Sequence, residues 1–287
     1  MTTAAPDVVS AARATGINRV LRPNPAKRAV ERYWLGYTVV WGIVAGVIML
    51  GGLAERWGDL ELMILGVAFA LGTVVPPILR PEETQRGSAW YRRTATKMSL
   101  AVVGFSLLMN YFCTPYFFDV LHMHFGFDTA IHVQNNPVFL YLMTVAYFAT
   151  YSVLVCIAHR VARGIEGPLR YPALVFAPFL VAFLETALNA NPWMTSLFCF
   201  DEMGFMLWFG TFSYGCALTF MRPVWFAIDE TVSETSLRHV GIWVMAGMMG
   251  MVTTFEVLRH HVAPHLTEVE TGAQNLRDFD DGCLTRP

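Results

Sequence analysis

The chain has 287 residues, of which 55% are hydrophobic and only 15% are charged, whereas soluble domains usually carry about 25% charged side chains. This composition disfavours a water-soluble enzyme and predicts a membrane protein. The 20 basic and 22 acidic residues give a formal charge of −2 at pH 7. Because no excess of positive charge is available to neutralise a run of phosphates, nucleic acid is excluded as a partner.

Seven segments are long and apolar enough to cross a bilayer, which takes about 20 residues in a helix. They predict an all-α integral membrane protein, a single multi-pass bundle of about seven transmembrane helices. In chain order the predicted spans are 33–54, 60–79, 98–118, 137–158, 171–190, 203–228 and 239–258.

The positions of Lys and Arg predict the orientation of this bundle. With seven spans, 16 of these residues lie on one side and 4 on the other. Since cytoplasmic loops carry the positive excess, the N-terminus is predicted to be cytoplasmic. The predicted organisation is a flexible N-terminal segment at 1–23, a transmembrane helical domain at 24–264 and an acidic C-terminal tail at 265–287.

Ionisable and amide side chains inside predicted spans are candidate functional residues, because hydrocarbon makes them costly. At 1.5 Å per residue, Asn110, Glu185 and Glu256 lie roughly 18–26 Å from the cytoplasmic side, so all three belong to the outer half of the bilayer. Structural hydrogen bonding between helices is the competing interpretation for each of them. If they are functional, their similar depth predicts that they line one cavity.

Further polar residues lie one helical turn away from Asn110 and Glu185. Asn110 and Thr114 are four residues apart, as are Glu185 and Asn189, so each pair shares a helix face. The second and third predicted outer loops hold acidic and histidine residues but no Lys or Arg. The sequence therefore predicts a polar stripe that points into the bundle below an acidic, histidine-rich mouth.

Several kinds of membrane protein are excluded by the residues they would need. A retinal protein needs a lysine inside the membrane, but Lys27 and Lys97 lie at the predicted cytoplasmic edges. Di-iron membrane oxidases need repeated histidine boxes, and an ion-coupled transporter usually has internal repeats; neither is present. No nucleotide or metal motif occurs, so no metal and no cofactor is expected.

A set of short motifs occurs along the chain, in the order NPAKR (24–28), NYFCTPYFF (110–118), NNP (135–137), FLET (183–186), NANP (189–192), AIDE (227–230) and FEVLR (255–259). Together they resemble cycloeucalenol cycloisomerase, also called cycloeucalenol-obtusifoliol isomerase. The similarity extends from about Asn24 to Pro264. The resemblance implies a membrane isomerase of sterol biosynthesis that opens the 9,19-cyclopropane ring of a cyclopropyl sterol to give a Δ8 sterol. The implied partners are a sterol or triterpenoid lipid and the bilayer.

Such a reaction protonates a carbon, forms a tertiary cation and removes a proton from the neighbouring carbon. It needs an acid, a base and a cation stabiliser, and it needs no metal or redox cofactor. We expect Glu185 or Glu256 to be the proton donor, with the other carboxyl, or Asp119, as base or cation stabiliser. The expected substrate-binding residues, which shape the pocket or orient the carboxyls, are Asn110, Tyr111, Thr114, Tyr147 and Asn189.

Two alternatives remain open at this point. A membrane terpene cyclase would also protonate a lipid with carboxyl groups in a small helical bundle. A non-catalytic sterol-binding protein is the other alternative, because the family resemblance implies histidine where this chain has Pro115, Val145 and Ser152.

Overall fold

The computed structural model of the protein describes residues 24–231 and 235–267. The predicted flexible segment 1–23 and nearly all of the predicted acidic tail lie outside the described residues. Within them, seven long helices build the fold, and every predicted span is helical. The helices are α1 (Pro25–Leu50), α2 (Asp59–Leu79), α3 (Thr94–Asp119), α4 (Val138–Gly164), α5 (Arg170–Asn189), α6 (Met203–Ala227, in three consecutive pieces) and α7 (Leu237–Val257).

Six of these helices are long and apolar enough to cross a membrane. The exception is α6, which begins with Met203–Phe205, passes through a π-helical turn at Met206–Gly210 and continues as Thr211–Ala227. The last piece has 17 residues, fewer than the roughly 20 that a span requires. An integral membrane bundle is thus confirmed, while a membrane crossing by α6 stays a prediction.

Local sequence signals explain where helices begin and how closely they pack. The Asn24 side chain accepts a hydrogen bond of 2.9 Å from the Lys27 N–H, and Pro25 follows as the first helical residue of α1, which is a favoured helix start. Ser236 caps α7 in the same way. At Gly66 of α2, an added Cβ would lie 2.7 Å from the backbone oxygen of Phe139 in α4. The absence of a side chain there lets α2 and α4 pack closely.

Four short strands lie in the loops at one end of the bundle. They are β1 (Met123–Phe125), β2 (His132–Val133), β3 (Asn136–Pro137) and β4 (Phe198–Phe200). β1 pairs antiparallel with β4, so that Met123 lies opposite Phe200, and β2 pairs with β3. We call the β1–β4 pair the cap, and this end of the bundle the cap end.

A cluster of buried ion pairs ties the helices together at the opposite end, which we call the network end. Arg160 of α4 binds Glu31 of α1 through two hydrogen bonds of 2.7 and 2.9 Å, and its Nε lies 2.7 Å from Glu230. Lys27 lies 2.8 Å from Glu230, and Lys97 of α3 lies 2.9 Å from Asp229. Arg160, Lys27 and Lys97 are almost completely buried. Three cations thus face three carboxylates, so the buried charge in this cluster is balanced.

The ion pairs also set the protonation of the two carboxylates in the loop after α6. Burial by itself would raise the pKa of Glu230, but hydrogen bonds and charge from Arg160 and Lys27 outweigh it and hold the pKa below its usual value. For Asp229 burial is likewise outweighed, here by hydrogen bonds from the Thr235 N–H, Lys97 and Thr94, so its pKa is also lowered. Both groups therefore remain ionised at neutral pH.

Candidate active site

A cavity lies between α3, α4, α5 and α6, directly beneath the cap. Eight of the described residues that line it are aromatic, and five of the other ten are Met or Leu. The aromatic residues are Phe117, Phe125, Tyr147, Phe148, Tyr151, Phe198, Phe200 and Tyr214. The cavity is therefore suited to a largely apolar, lipid-like molecule.

Glu185 of α5 is the only acidic side chain among the described residues that line this cavity. It is 8% exposed. Its Oε1 accepts a hydrogen bond of 2.9 Å from the Asn189 amide, one helical turn further along. Its Oε2 is buried and has no hydrogen-bond partner within the described residues, and no ion pair to Glu185 is present there either. A buried carboxyl without a cation is costly in an apolar site, which makes it a candidate for chemistry.

Two phenols line the same cavity as this carboxyl, from neighbouring helices. They belong to Tyr147 of α4 and Tyr214 of α6. The Tyr147 ring packs edge-to-face with Trp41, at 4.4 Å between ring centroids, and the Tyr214 ring packs against Phe117 at 5.0 Å. Aromatic faces in a desolvated site stabilise a positive charge by about 0.5–2 kcal/mol each. The surroundings of Glu185 can thus accommodate a carbocation.

A second polar group of the cavity lies on α3 and α4. Asn110 and Thr114 of α3 and Thr144 of α4 all line the cavity. Asn110 donates to Thr144 Oγ1 at 2.8 Å, and Asn136 of β3 donates to both Asn110 Oδ1, at 2.8 Å, and Thr114 Oγ1, at 3.0 Å. We call these four residues the amide cluster. The predicted polar stripe on α3 therefore exists and points into the bundle.

Five of the eight predicted site residues come together at this cavity. They are Glu185, Asn110, Thr114, Tyr147 and Asn189. The predicted role of Asn189 in orienting the carboxyl fits its hydrogen bond to Glu185. Asn110, in contrast, belongs to the amide cluster and makes no hydrogen bond to a carboxyl among the described residues.

The other three predicted residues lie elsewhere, and the expectation that Glu256 shares a cavity with Glu185 is wrong. The Glu256 side chain is 51% exposed and lies 3.3 Å from Arg259 and 3.2 Å from His260. Asp119 is buried but forms an ion pair with Arg259, and it does not line the cavity. Tyr111 is 43% exposed on the outside of the bundle. The rise per residue gives the height of a side chain, but its direction around the helix axis depends on packing.

Sequence reasoning missed several residues that complete the site. Thr144 lies one turn before Tyr147 on the same face of α4, a spacing that could have indicated it. Asn136 belongs to the NNP motif but lies outside every predicted span. The hydrophobic pattern did not indicate the cap or the π-helical turn. This turn brings Met206 to the cavity wall, and π-helical turns are frequent at functional sites.

Ionisable residues of the cap-end loops surround the cap, as the sequence predicted. His124 Nε2 lies 3.3 Å from Asp201, and the backbone oxygen of His122 accepts a hydrogen bond from the Asp201 N–H. Burial lowers the pKa of His122, against the opposing effect of Asp201 and Glu202. Within the described residues, no group of three or more His, Cys, Asp or Glu side chains is arranged to hold a metal ion.

The fold and the cavity define an integral membrane protein with a largely apolar site, in which the described residues place one carboxyl without an ion-pair partner. Comparison with characterised proteins adds a specific relative. The chain is 28% identical over 254 residues to the cycloeucalenol cycloisomerase of Arabidopsis thaliana, which covers 85% of this chain and 89% of that protein. The chain is thus a divergent relative of this isomerase, in agreement with the motifs. No family model and no solved structure matches it.

Proposed function

We propose that this protein is a membrane isomerase that opens the cyclopropane ring of a sterol by proton transfer, with Glu185 as the proton donor. The observation that carries the proposal is the Glu185 carboxyl itself. It is buried in the cavity, one of its oxygens has no partner within the described residues, and no cation there balances its charge. Proton transfer to a carbon requires such an acid next to an apolar substrate.

The relative's name supports the reaction class. A cycloeucalenol cycloisomerase acts on a 9,19-cyclopropyl sterol, and the same substrate class suits a cavity with largely aromatic and aliphatic walls. Sterols are rigid and apolar, so a preformed cavity can bind them without a large ordering cost.

In the proposed reaction, Glu185 gives its proton to the methylene carbon of the cyclopropane. The bond between this carbon and C9 breaks, the methylene becomes a methyl group, and a tertiary cation remains at C9. Loss of a proton from C8 then forms the Δ8 double bond. The product has the same atoms as the substrate, and one proton has been given and one taken.

We further propose that the Glu185 carboxylate takes the C8 proton and so returns to its starting state. No other carboxyl lines the cavity within the described residues, and both Glu256 and Asp119 are paired with Arg259. After the first transfer the carboxylate lies beside the cation it has created, which stabilises that cation electrostatically. The faces of Tyr147 and Tyr214 contribute cation–π stabilisation.

The reaction class is tested by expressing the protein in a host that accumulates 9,19-cyclopropyl sterols and analysing the membrane lipids by mass spectrometry. We expect a new Δ8 sterol of unchanged mass, absent from the host with an empty vector. Unchanged lipids, with the protein present in the membrane, would contradict the proposal. If a cyclopropyl sterol nevertheless co-purified with the protein, the non-catalytic binding function would be supported instead. A host supplied with an epoxy-isoprenoid tests the terpene cyclase alternative.

A further inference from the structure

We propose that the amide cluster is a binding site for the single hydroxyl group of the sterol, and that it orients the ring system toward Glu185. This inference rests on the proposed function for the class of substrate. The observation that supports it is a hydrogen-bond donor close to a hydrogen-bond acceptor on one wall of an otherwise apolar cavity. Neither group uses its full hydrogen-bonding capacity within the described residues.

The donors and acceptors of the cluster can be counted one by one. The Asn110 amide donates to the Ser106 carbonyl and to Thr144 Oγ1, both at 2.8 Å. The Asn136 amide donates its two hydrogens to Asn110 Oδ1 and Thr114 Oγ1. Both amides are therefore oriented by their neighbours, and the oxygen of Asn110 faces the nitrogen of Asn136.

The hydroxyl of Thr114 accepts from Asn136, but its own hydrogen has no acceptor among the described residues. Other buried threonines of the bundle behave differently: Thr73, Thr150 and Thr186 each donate to the carbonyl oxygen four residues earlier. Thr114 makes no such bond within the described structure. Its O–H is thus available at the cavity wall, although the side chain is only 6% exposed.

The complementary acceptor is the oxygen of Asn110. A carbonyl oxygen has two lone pairs, and only the bond from Asn136 uses this one within the described residues. One free donor and one free acceptor, on adjacent turns of α3, match a hydroxyl group, which accepts one hydrogen bond and donates another. Leaving such buried groups unsatisfied is costly, so the cavity favours a ligand with one hydroxyl over a purely apolar one.

The position of the cluster also suits the proposed reaction. Thr114 lies five residues before the end of α3, and Glu185 lies four residues before the end of α5, so both are near the cap end of the cavity. The two helices pack against α4 and reach the cavity from different sides. In a 9,19-cyclopropyl sterol the hydroxyl is on the first ring and the cyclopropane is fused to the C9–C10 bond of the second ring. A hydroxyl held by Thr114 and Asn110 thus leaves the cyclopropane in the half of the cavity that contains Glu185.

The test compares the binding of two ligands by the purified full-length protein in lipid nanodiscs. One is the proposed product, a Δ8 sterol with its free hydroxyl, which has no cyclopropane left to open, and the other is the same molecule without the hydroxyl. We expect the wild-type protein to bind the hydroxyl form roughly tenfold more tightly, the equivalent of about 1.4 kcal/mol. Thr114→Val should reduce this ratio to about one and leave the binding of the deoxy form unchanged, because valine keeps the shape but has no hydroxyl. Thr114→Ser should retain the preference, as should the control Thr73→Val, a buried threonine away from the cavity.

A ratio that stays near tenfold in Thr114→Val, or a wild-type protein that does not distinguish the two ligands, would overturn the inference. A Thr114→Val protein that had lost its fold would bind neither ligand, so binding of the deoxy form reports on folding. In that event Thr114→Ala, which removes the same hydroxyl in a smaller side chain, provides the ratio that decides the test. Since binding is measured without turnover, a protein that shows the expected ratios but forms no Δ8 product would contradict the isomerase proposal alone.

Discussion

The two ends of the bundle differ in whether their buried charges are paired. At the network end, Arg160, Lys27 and Lys97 face three carboxylates at distances of 2.7–2.9 Å. In the cavity at the other end, Glu185 has an amide as its neighbour and no cation within the described residues. Balanced ion pairs of this kind fix how helices fit together, whereas an isolated carboxyl adds nothing to packing that an apolar residue would not supply. Pairing, more than burial, thus distinguishes the charges of the network end from Glu185, to which we assign a functional role.

The motifs shared with the isomerase divide between these two regions. NPAKR contributes Asn24 and Lys27 to the network end, and AIDE contributes Asp229 and Glu230. NYFCTPYFF and FLET contribute Asn110, Thr114 and Glu185 to the cavity. The motifs thus include residues that join helices as well as residues of the cavity, and a motif alone does not tell which of the two it serves.

The largest effect on stability is expected from removing the cation at the centre of the network. A carboxylate at this end would then be buried without a cation among the described residues, as Glu185 is in the cavity. Arg160→Leu leaves Glu31 and Glu230 without their shared guanidinium. Loss of one partner from a buried ion pair costs about 3–5 kcal/mol. Thermal unfolding in detergent should show a marked drop in midpoint. A midpoint equal to that of the wild-type protein would mean that the ion pairs do not hold the helices together.

Acid should weaken the network end selectively, because the pKa values of Glu230 and Asp229 are lowered in the folded protein. A group of this kind stabilises the fold fully above its ordinary pKa, here 4.5 for Glu230, and the contribution is lost as the pH falls through the lowered folded value. We expect an unfolding temperature that is level near neutral pH and falls below about pH 4.5.

Glu230→Gln is the matched variant for this measurement. It should be less stable at neutral pH and should lose less stability on acidification, so that the two curves converge at low pH. Parallel curves across the whole range would assign the acid sensitivity to other groups.

The smallest effect is expected at the glutamate that sequence reasoning ranked beside Glu185. Glu256→Gln removes a half-exposed carboxylate whose contacts are Arg259 and His260 on its own helix. Exposed pairs of this kind contribute about 0–1 kcal/mol, so the unfolding temperature should change little and sterol turnover should stay within twofold of the wild-type rate. A large loss of turnover would indicate instead that Glu256 takes part in catalysis.

The fold was largely predictable from the sequence, because long apolar segments report directly on helices in a membrane protein. The site was predictable in part. Glu185 and Asn110 stood out because they interrupt apolar segments, and the spacing of four led from them to Asn189 and Thr114. Glu256 satisfied the same criteria and yet faces away from the cavity, because height along a helix follows from residue number while direction follows from contacts. Pairing with distant residues, such as Arg160 with Glu31, could not be read from the sequence at all.

The central claim is that the unpaired Glu185 carboxyl gives the proton, and the rate of Glu185→Gln tests it most directly. Glutamine keeps the shape and polarity of the side chain but has no acidic proton, and loss of a general acid costs about 10²–10⁴-fold in rate. With purified protein in nanodiscs and a 9,19-cyclopropyl sterol, we predict a fall in kcat of this size, unchanged sterol binding and an unfolding temperature at or above that of the wild-type protein. Turnover by Glu185→Gln within tenfold of the wild-type rate would contradict the account.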